Sequence, residues 1–320
     1  MELTYLEGRK SILDLINDCD RISPNTNTSS FYRLQLSSHP GSALGLIQPS
    51  TINTFRSILH APAWTINDHL RTLTLTPPSL QARNKHIQTA LLAAQKLNSF
   101  SNLLRWSPAD NETFPVFTPS RPREHVLDIP RAAAPLFGII GRGVQLLVNR
   151  EDGDGLRVWV AKRSMAKRGF PGMWDATVGG ALGTGEGVLE GLVREAGEEA
   201  RFGEKLVRER ARACGTVCYV YVTDERSGGE TGLVCPEVQF VYDLCAGEEM
   251  VPVSGDGEVE EFVLVDMGEL RERLERGEFR PASACVMIDF MVRHGVLTAE
   301  NEDDYEEITQ RLHRFIDLAI

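Results

Sequence analysis

Glu195, Glu198 and Glu199 have the residue types and spacing for chemistry. On a helix they stand at i, i+3 and i+4, so the three carboxylates leave one face. Like charges on adjacent turns destabilise a helix unless a cation neutralises them, and the single neighbouring arginine, Arg194, cannot neutralise three. Hard oxygen ligands crowded on one face suit a divalent cation, Mg2+ or Mn2+. The run ahead of them is rich in glycine (Gly179, Gly180, Gly183, Gly185 and Gly187), which lets the main chain approach a ligand closely. Glu186 lies eight residues before Arg194, a spacing from which it can fold back across the loop, hold the arginine and orient the glutamates. The same composition also suits a structural Glu/Arg helix behind a Gly-rich turn.

The remaining chain supplies the elements that must hold this stretch. Residues 11–19 place apolar side chains at helical spacing, FYRLQL and HLRTLTLT alternate as strands, and TINTFRSILHA reads as a helix. Residues 79–100 form a longer helical pattern with Leu80, Ile87, Leu91 and Leu97 on its apolar face. This is a small α+β module, and the Pro-rich, polar stretch SPADNETFPVFTPSRPRE after it reads as a linker or covering arm. From about Asp128 two β-prone runs flank the turn EDGDG as a hairpin. The second run delivers Lys162, Arg163, Lys167 and Arg168, cations that either meet a substrate diphosphate or form a solvated basic edge. Phe170 and Trp174 follow, suited to stacking on a flat heterocycle or to core packing. Beyond the acidic helix come the strands GTVCYVYVT and EVQFVYDLC, then an acidic turn, a strand and a helix with Leu270 and Leu274 on one side. Glu258, Glu260 and Glu261 at that turn are candidates for a general base or further metal ligand, or are simply solvated. Two helices separated near His294-Gly295 close the chain.

Composition narrows the function. A net charge of −11 with no basic stripe argues against a nucleic-acid partner. No apolar run is long enough to span a bilayer, and the start, MELTYLEGRK, has neither a signal nor a transit character, so the expectation is a soluble cytoplasmic protein. The six cysteines include no CxxC pair, which argues against a zinc ribbon or a disulfide framework.

The spacing from Gly180 through Glu186 to Arg194, Glu195, Glu198 and Glu199 resembles the box of the Nudix hydrolases, with Arg201 where that family usually has glycine. The runs WVAKRSMAKRGFPGMWDATVGGALGTGE, FVYDL, DGEVEEF and EFRPASACVMIDFMVRHGVLTAENEDDYEEI further resemble the Nudix subfamily related to the N-terminal part of fungal thiamine pyrophosphokinases. The resemblance implies an α/β fold, the Nudix α/β/α sandwich with a mixed sheet, over residues 126–320, with residues 1–125 as the N-terminal module. It implies Glu195, Glu198 and Glu199, with the Gly180 carbonyl, as holders of Mg2+ or Mn2+, and Arg194 and Glu186 as the groups that orient them. Arg163, Lys167, Phe170 and Trp174 are the candidate substrate contacts. The implied substrate is a small-molecule diphosphate, oxidised or damaged thiamine diphosphate (oxothiamine or oxythiamine diphosphate), converted to the monophosphate. Two alternatives stay open: a Nudix pyrophosphatase for nucleoside diphosphate derivatives such as ADP-ribose, and a non-catalytic Nudix-fold binding protein.

Overall fold

A computed structural model of the chain describes residues 8–22, 26–110, 112–153, 155–255, 257–316 and 318. The first helix, α1 (Ile12–Cys19), starts at Ser11, whose hydroxyl accepts from the Asp14 N–H while the Asp14 carboxylate accepts from the Ser11 N–H. This reciprocal cap satisfies two donors that would otherwise be orphaned. Strands β1 (Tyr32–Leu36), β2 (Gly45–Ile47), β3 (Trp64–Asn67) and β4 (Thr72–Leu75) form a sheet in the order β2-β1-β4-β3, with β1 and β4 parallel. Helices α2 (Pro49–Phe55) and α3 (Leu80–Lys96) complete this module. The buried face of α3 is Arg83, Ile87, Ala90, Leu91 and Ala94. Leu97, expected on that face, ends the helix and is 60% exposed. Arg83 is buried because its guanidinium finds the carbonyls of Pro77, Pro78 and Val126.

The expected linker is partly a strand. Within it, β5 (Thr113–Phe117) pairs antiparallel with β6 (His125–Pro130), and its proline is accommodated because this two-stranded ribbon leaves edge positions that need no ladder donor. A short helix α4 (Ala134–Phe137) ends at Gly138, whose φ of 58° favours glycine and whose close packing requires it: a Cβ there would stand 1.8 Å from the Leu46 carbonyl oxygen.

The larger sheet contains β7 (Gly141–Asp152), β8 (Gly155–Arg163), β9 (Trp174–Asp175), β10 (Val178–Ala181), β11 (Arg212–Val222), β12 (Val234–Cys245) and β13 (Val259–Asp266). Its order is β11-β12-β7-β8-β13, with β10 pairing β7 and β9 pairing β8, and β12 runs parallel to β7 while the other pairs are antiparallel. Helices α5 (Val188–Ala200) and α6 (Glu204–Arg210) cover one face through Leu192, Ala196, Ala200 and Val207. On the other face lie α7 (Met267–Glu275), α8 (Pro281–Arg293) and α9 (Tyr305–Leu312). This is the expected α/β/α sandwich with a mixed sheet, beside a small N-terminal sheet and its helices. Helix α1 belongs to the second face: Ile12, Leu15, Ile16 and Cys19 pack into the cluster built on α8 and α9, apart from the rest of the N-terminal module. No helix among the described residues is long and apolar enough to cross a membrane.

Arg201, the departure from the family pattern, caps α5 in a left-handed conformation with φ 57°. Its guanidinium donates to the Ser254 and Gly255 carbonyls at 3.2 and 3.4 Å, tying the loop after β12 to the helix end. The side chain therefore returns in tertiary bonds part of what a non-glycine residue loses in the left-handed region, on the order of 1 kcal/mol. Arg201→Gly is expected to leave the melting temperature nearly unchanged, because strain and bonds disappear together. Arg201→Ala keeps the strain without the bonds and should lose about 1 kcal/mol, measurable by urea unfolding.

Candidate active site

Strand β10 carries Gly179 and Gly180 into a loop that turns back at Gly185, with φ 82°, and enters α5. Register places Gly179 beside Gln145 and Gly180 beside Val144 of β7. Both glycines are required by close approach: a Cβ on Gly180 would lie 1.8 Å from Glu195 Oε1, and one on Gly179 would lie 2.6 Å from Gln145 Oε1. The carboxylate of Glu195 is thereby laid against the main chain of β10.

Arg194 organises the carboxylates around it. Its Nε and Nη2 donate to the two oxygens of Glu186 at 2.8 and 3.2 Å, and Nη2 also donates to the Ala181 carbonyl at 3.3 Å. Its Nη1 reaches Glu195 Oε1 at 2.9 Å and Glu198 Oε2 at 3.1 Å. Glu186 also accepts from the Gly183 N–H at 3.1 Å, which closes the loop on itself. Partial burial opposes ionisation of Glu186, but Arg194 and the Gly183 N–H outweigh it and hold the carboxyl below its ordinary value.

Glu199 is 9% exposed and accepts from the Gly179 N–H at 3.0 Å. Burial, then the like charges of Asp175, Glu195 and Glu258, push its pKa up to about 8 against that one hydrogen bond. It forms no ion pair among the described residues. Burial raises Glu195 as well, against the pull of Arg194. Glu198 is the outermost, with a half-exposed side chain.

The three glutamates and Gly180 line one cleft of about 690 Å3, as do Arg163, Lys167, Phe170 and Glu258. As they stand, no three His, Cys, Asp or Glu side chains among the described residues converge as a metal cage. Arg194 holds Glu195 and Glu198 while the Gly179 N–H holds Glu199. The donor set nevertheless fits a divalent cation: hard carboxylate oxygens on one helix face, with one of them desolvated and lacking a cationic partner.

The other candidates divide. Arg163 is spent largely on the loop it follows, donating to Asp175 Oδ2 at 2.7 Å and to the Gly169 and Phe170 carbonyls at 3.0 and 3.2 Å. Lys167 pairs with Glu258, and both line the cleft. Phe170 has φ 53°, and its ring meets Tyr221 edge-on at 6.0 Å. Trp174 does not line the cleft; it is 8% exposed and packed in the core, with Arg273 4.3 Å and Lys162 5.7 Å from its ring centroid. Of the acidic turn, only Glu258 lines the cleft. Glu260 sits at the irregularity in the β13–β8 register, and Glu261 pairs with Lys162 at 3.5 Å outside it.

Sequence reasoning passed over Asp175, Glu237 and Arg280. Asp175 accepts from Arg163, from Ser283 and from the Ala176 N–H at 2.9 Å, joining β9 to α8 below the cleft. The loop bearing Phe170 is held from the far side: its N–H donates to the Arg226 carbonyl at 2.7 Å. Arg226 in turn grips Asp18 of α1 through both Nη atoms at 2.9 and 2.7 Å, and Asp224 at 2.8 Å. Burial opposes it, but hydrogen bonds with Arg226, Tyr221 and Arg21 hold Asp224 down to about 2, so its contribution is present above the ordinary carboxylate range and is lost only as pH falls through about 2. Asp18→Asn should cost about 2 kcal/mol and loosen the Phe170 loop. Faster amide exchange at residues 168–172 checks this.

The NUDIX domain family model matches residues 140–286. YJR142W of Saccharomyces cerevisiae, an uncharacterized protein, is 31% identical over 285 residues, covering 86% of this chain and 82% of that protein. Nudix hydrolases 20 and 24 of Arabidopsis thaliana, both described as chloroplastic, are 37% and 34% identical over 63% of this chain, and the chain spans 52% and 53% of their lengths. The chain belongs to the Nudix hydrolase family, enzymes that act on pyrophosphate bonds of small-molecule diphosphates and generally use divalent metal ions.

Proposed function

We propose that this enzyme is a Mg2+- or Mn2+-dependent diphosphatase that converts damaged thiamine diphosphates, such as oxothiamine and oxythiamine diphosphate, to their monophosphates. The observation that carries the hydrolytic part is Glu199, a buried carboxylate without a cationic partner among the described residues, sharing a cleft with Glu195 and Glu198. The thiamine part rests on the resemblance of the runs around Phe170, Glu258 and α8 to the thiamine-related subfamily. Glu195, Glu198 and Glu199, with the Gly180 carbonyl, hold the metal. When bound, it offsets negative charge on the diphosphate and lowers the pKa of a water. Arg194, locked by Glu186, orients Glu195 and Glu198, and Gly179 aims Glu199. Glu258 is the residue of the acidic turn that stands within the cleft to take a proton, with Lys167 beside it. Arg163 keeps the Phe170 loop shaped for the organic moiety.

The test is phosphate release from oxothiamine diphosphate beside thiamine diphosphate, ADP-ribose and ADP-glucose, with Mg2+ or Mn2+. Preference for the oxidised thiamine compound supports the reading in full. Preference for ADP-ribose or ADP-glucose moves the enzyme to the nucleoside diphosphate class.

A further inference from the structure

The cleft floor away from Glu195 and Glu199 carries a polar row that the hydrolytic chemistry does not use. Gln145 of β7 and Gln239 and Glu237 of β12 lie on it, all lining the cleft. Register sets Glu237 beside Gly141 and Gln239 beside Gly143, while Gln145 stands beside Gly179. The row thus begins next to the strand that holds Glu199 and runs four residues along β7, roughly 13 Å at strand rise. Glycine paves it: a Cβ at Gly143 would meet Gln239 Oε1 at 2.4 Å.

The polarity of this row is determined. Glu237 Oε2 accepts from the Tyr219 hydroxyl and from Gln239 Nε2 at 2.8 Å. A carboxylate beside the carboxamide obliges Gln239 to turn its NH2 toward Glu237. Gln239 Oε1 then faces Gln145 and accepts from its Nε2 at 3.2 Å. Gln145 is left with Oε1 as its free end, and that oxygen has no hydrogen-bond partner although the residue is only 5% exposed. Both ends of the row are therefore acceptors, one charged and one orphaned. A buried acceptor without a donor costs about 1–3 kcal/mol, a cost removed by a group that supplies a proton. Phe170 lines the cleft as well, with the Arg280 and Arg226 guanidinium groups 5.7 and 5.9 Å from its ring centroid.

We propose that Glu237, Gln239 and Gln145 form the specificity row for the non-phosphate half of the substrate, which is a planar nitrogen heterocycle that donates from an exocyclic amino or ring N–H edge. This deepens the hydrolase reading above and depends on the cleft being its active site. Rings whose edge offers only acceptors meet a carboxylate at one end and an orphaned carbonyl oxygen at the other and are rejected. Among the described residues neither end of the row hydrogen-bonds to the glutamates of α5, so its effect falls on KM and leaves kcat largely alone.

The experiment is a chemical double cycle on the full-length chain. Hydrolysis of oxothiamine diphosphate and of ADP-ribose, both of which carry an amino group on the ring, is followed for wild type, Glu237→Gln and Gln145→Met. Each compound is also presented dimethylated on that amino nitrogen. Whichever compound the wild type cleaves better decides the substrate reading; the row is judged separately, on that compound and its dimethylated form. Dimethylation should raise wild-type KM about tenfold or more, the weight of a hydrogen bond to a charged group, and should add little in Glu237→Gln, whose KM is already raised. Gln145→Met, which leaves Glu237 in place, should raise KM severalfold with kcat within about threefold and serves if Glu237→Gln does not fold. Equal sensitivity to dimethylation in wild type and variant, or variants with KM within twofold of wild type, overturns the proposal.

Discussion

Glu199→Gln is expected to lower turnover by at least about a hundredfold, roughly 3 kcal/mol of transition-state stabilisation, while raising the melting temperature of the metal-free protein at alkaline pH. The two halves have one cause. Glu199 is buried, accepts from the Gly179 N–H and stands among Asp175, Glu195 and Glu258, so its pKa rises to about 8. An unfolded glutamate ionises near 4.3, so folding between these values requires proton uptake, and wild-type stability falls as pH rises through that window. Above about pH 8 the full cost of the buried charge is present. Glutamine still accepts from the Gly179 N–H and never ionises. Thermal scans in EDTA should therefore show little difference at pH 5 and the largest gain for the variant at pH 9. Equal melting temperatures at pH 9 would mean that Glu199 is not desolvated, and retained turnover would remove it from the reaction.

Arg194→Lys is expected to weaken the apparent affinity for Mg2+ about 10- to 100-fold, although the charge is kept. The guanidinium spans Glu186 with two bonds and reaches Glu195 and Glu198 with a third nitrogen. An ammonium is a point donor and cannot hold the loop carboxylate and the two helix carboxylates at once. Glu186 would then release the Gly183 N–H and the loop that leads into α5. Titrating activity with Mg2+ checks this: a raised half-saturating concentration with near-normal activity at saturation is the expected pattern, and an unchanged one would show that Arg194 does not position the carboxylates.

Much of the site was legible because its parts are close in the chain. Glu186, Arg194, Glu195, Glu198 and Glu199 belong to one loop and one helix, where spacing alone determines which side chains can meet, and Arg194 does bond Glu186, Glu195 and Glu198. The same holds for the Leu270 and Leu274 face of α7, both fully buried. Trp174 shows the limit: its position in a loop-like run suggested a stacking platform, but whether a ring faces a cleft or a core depends on what packs over it, here Arg273 and Lys162. Proline hid β5, since the pattern that marks a linker also fits an edge strand.

The sequence by itself determined that the carboxylates of α5 share one face, because that follows from local spacing, and motifs carried on continuous segments bear the resemblance that implies the family and the sandwich. Only the tertiary structure decided that α1 packs against α8 and α9, that Glu258 and not Glu260 or Glu261 enters the cleft, and that Glu237, Gln239 and Gln145 form one row. Gln145 and Gln239 are ninety-four positions apart, and strand pairing alone makes them neighbours. A carboxylate's pKa is likewise a property of its surroundings: Glu198 and Glu199 are adjacent in sequence, yet one is half-exposed and the other is buried and shifted to about 8.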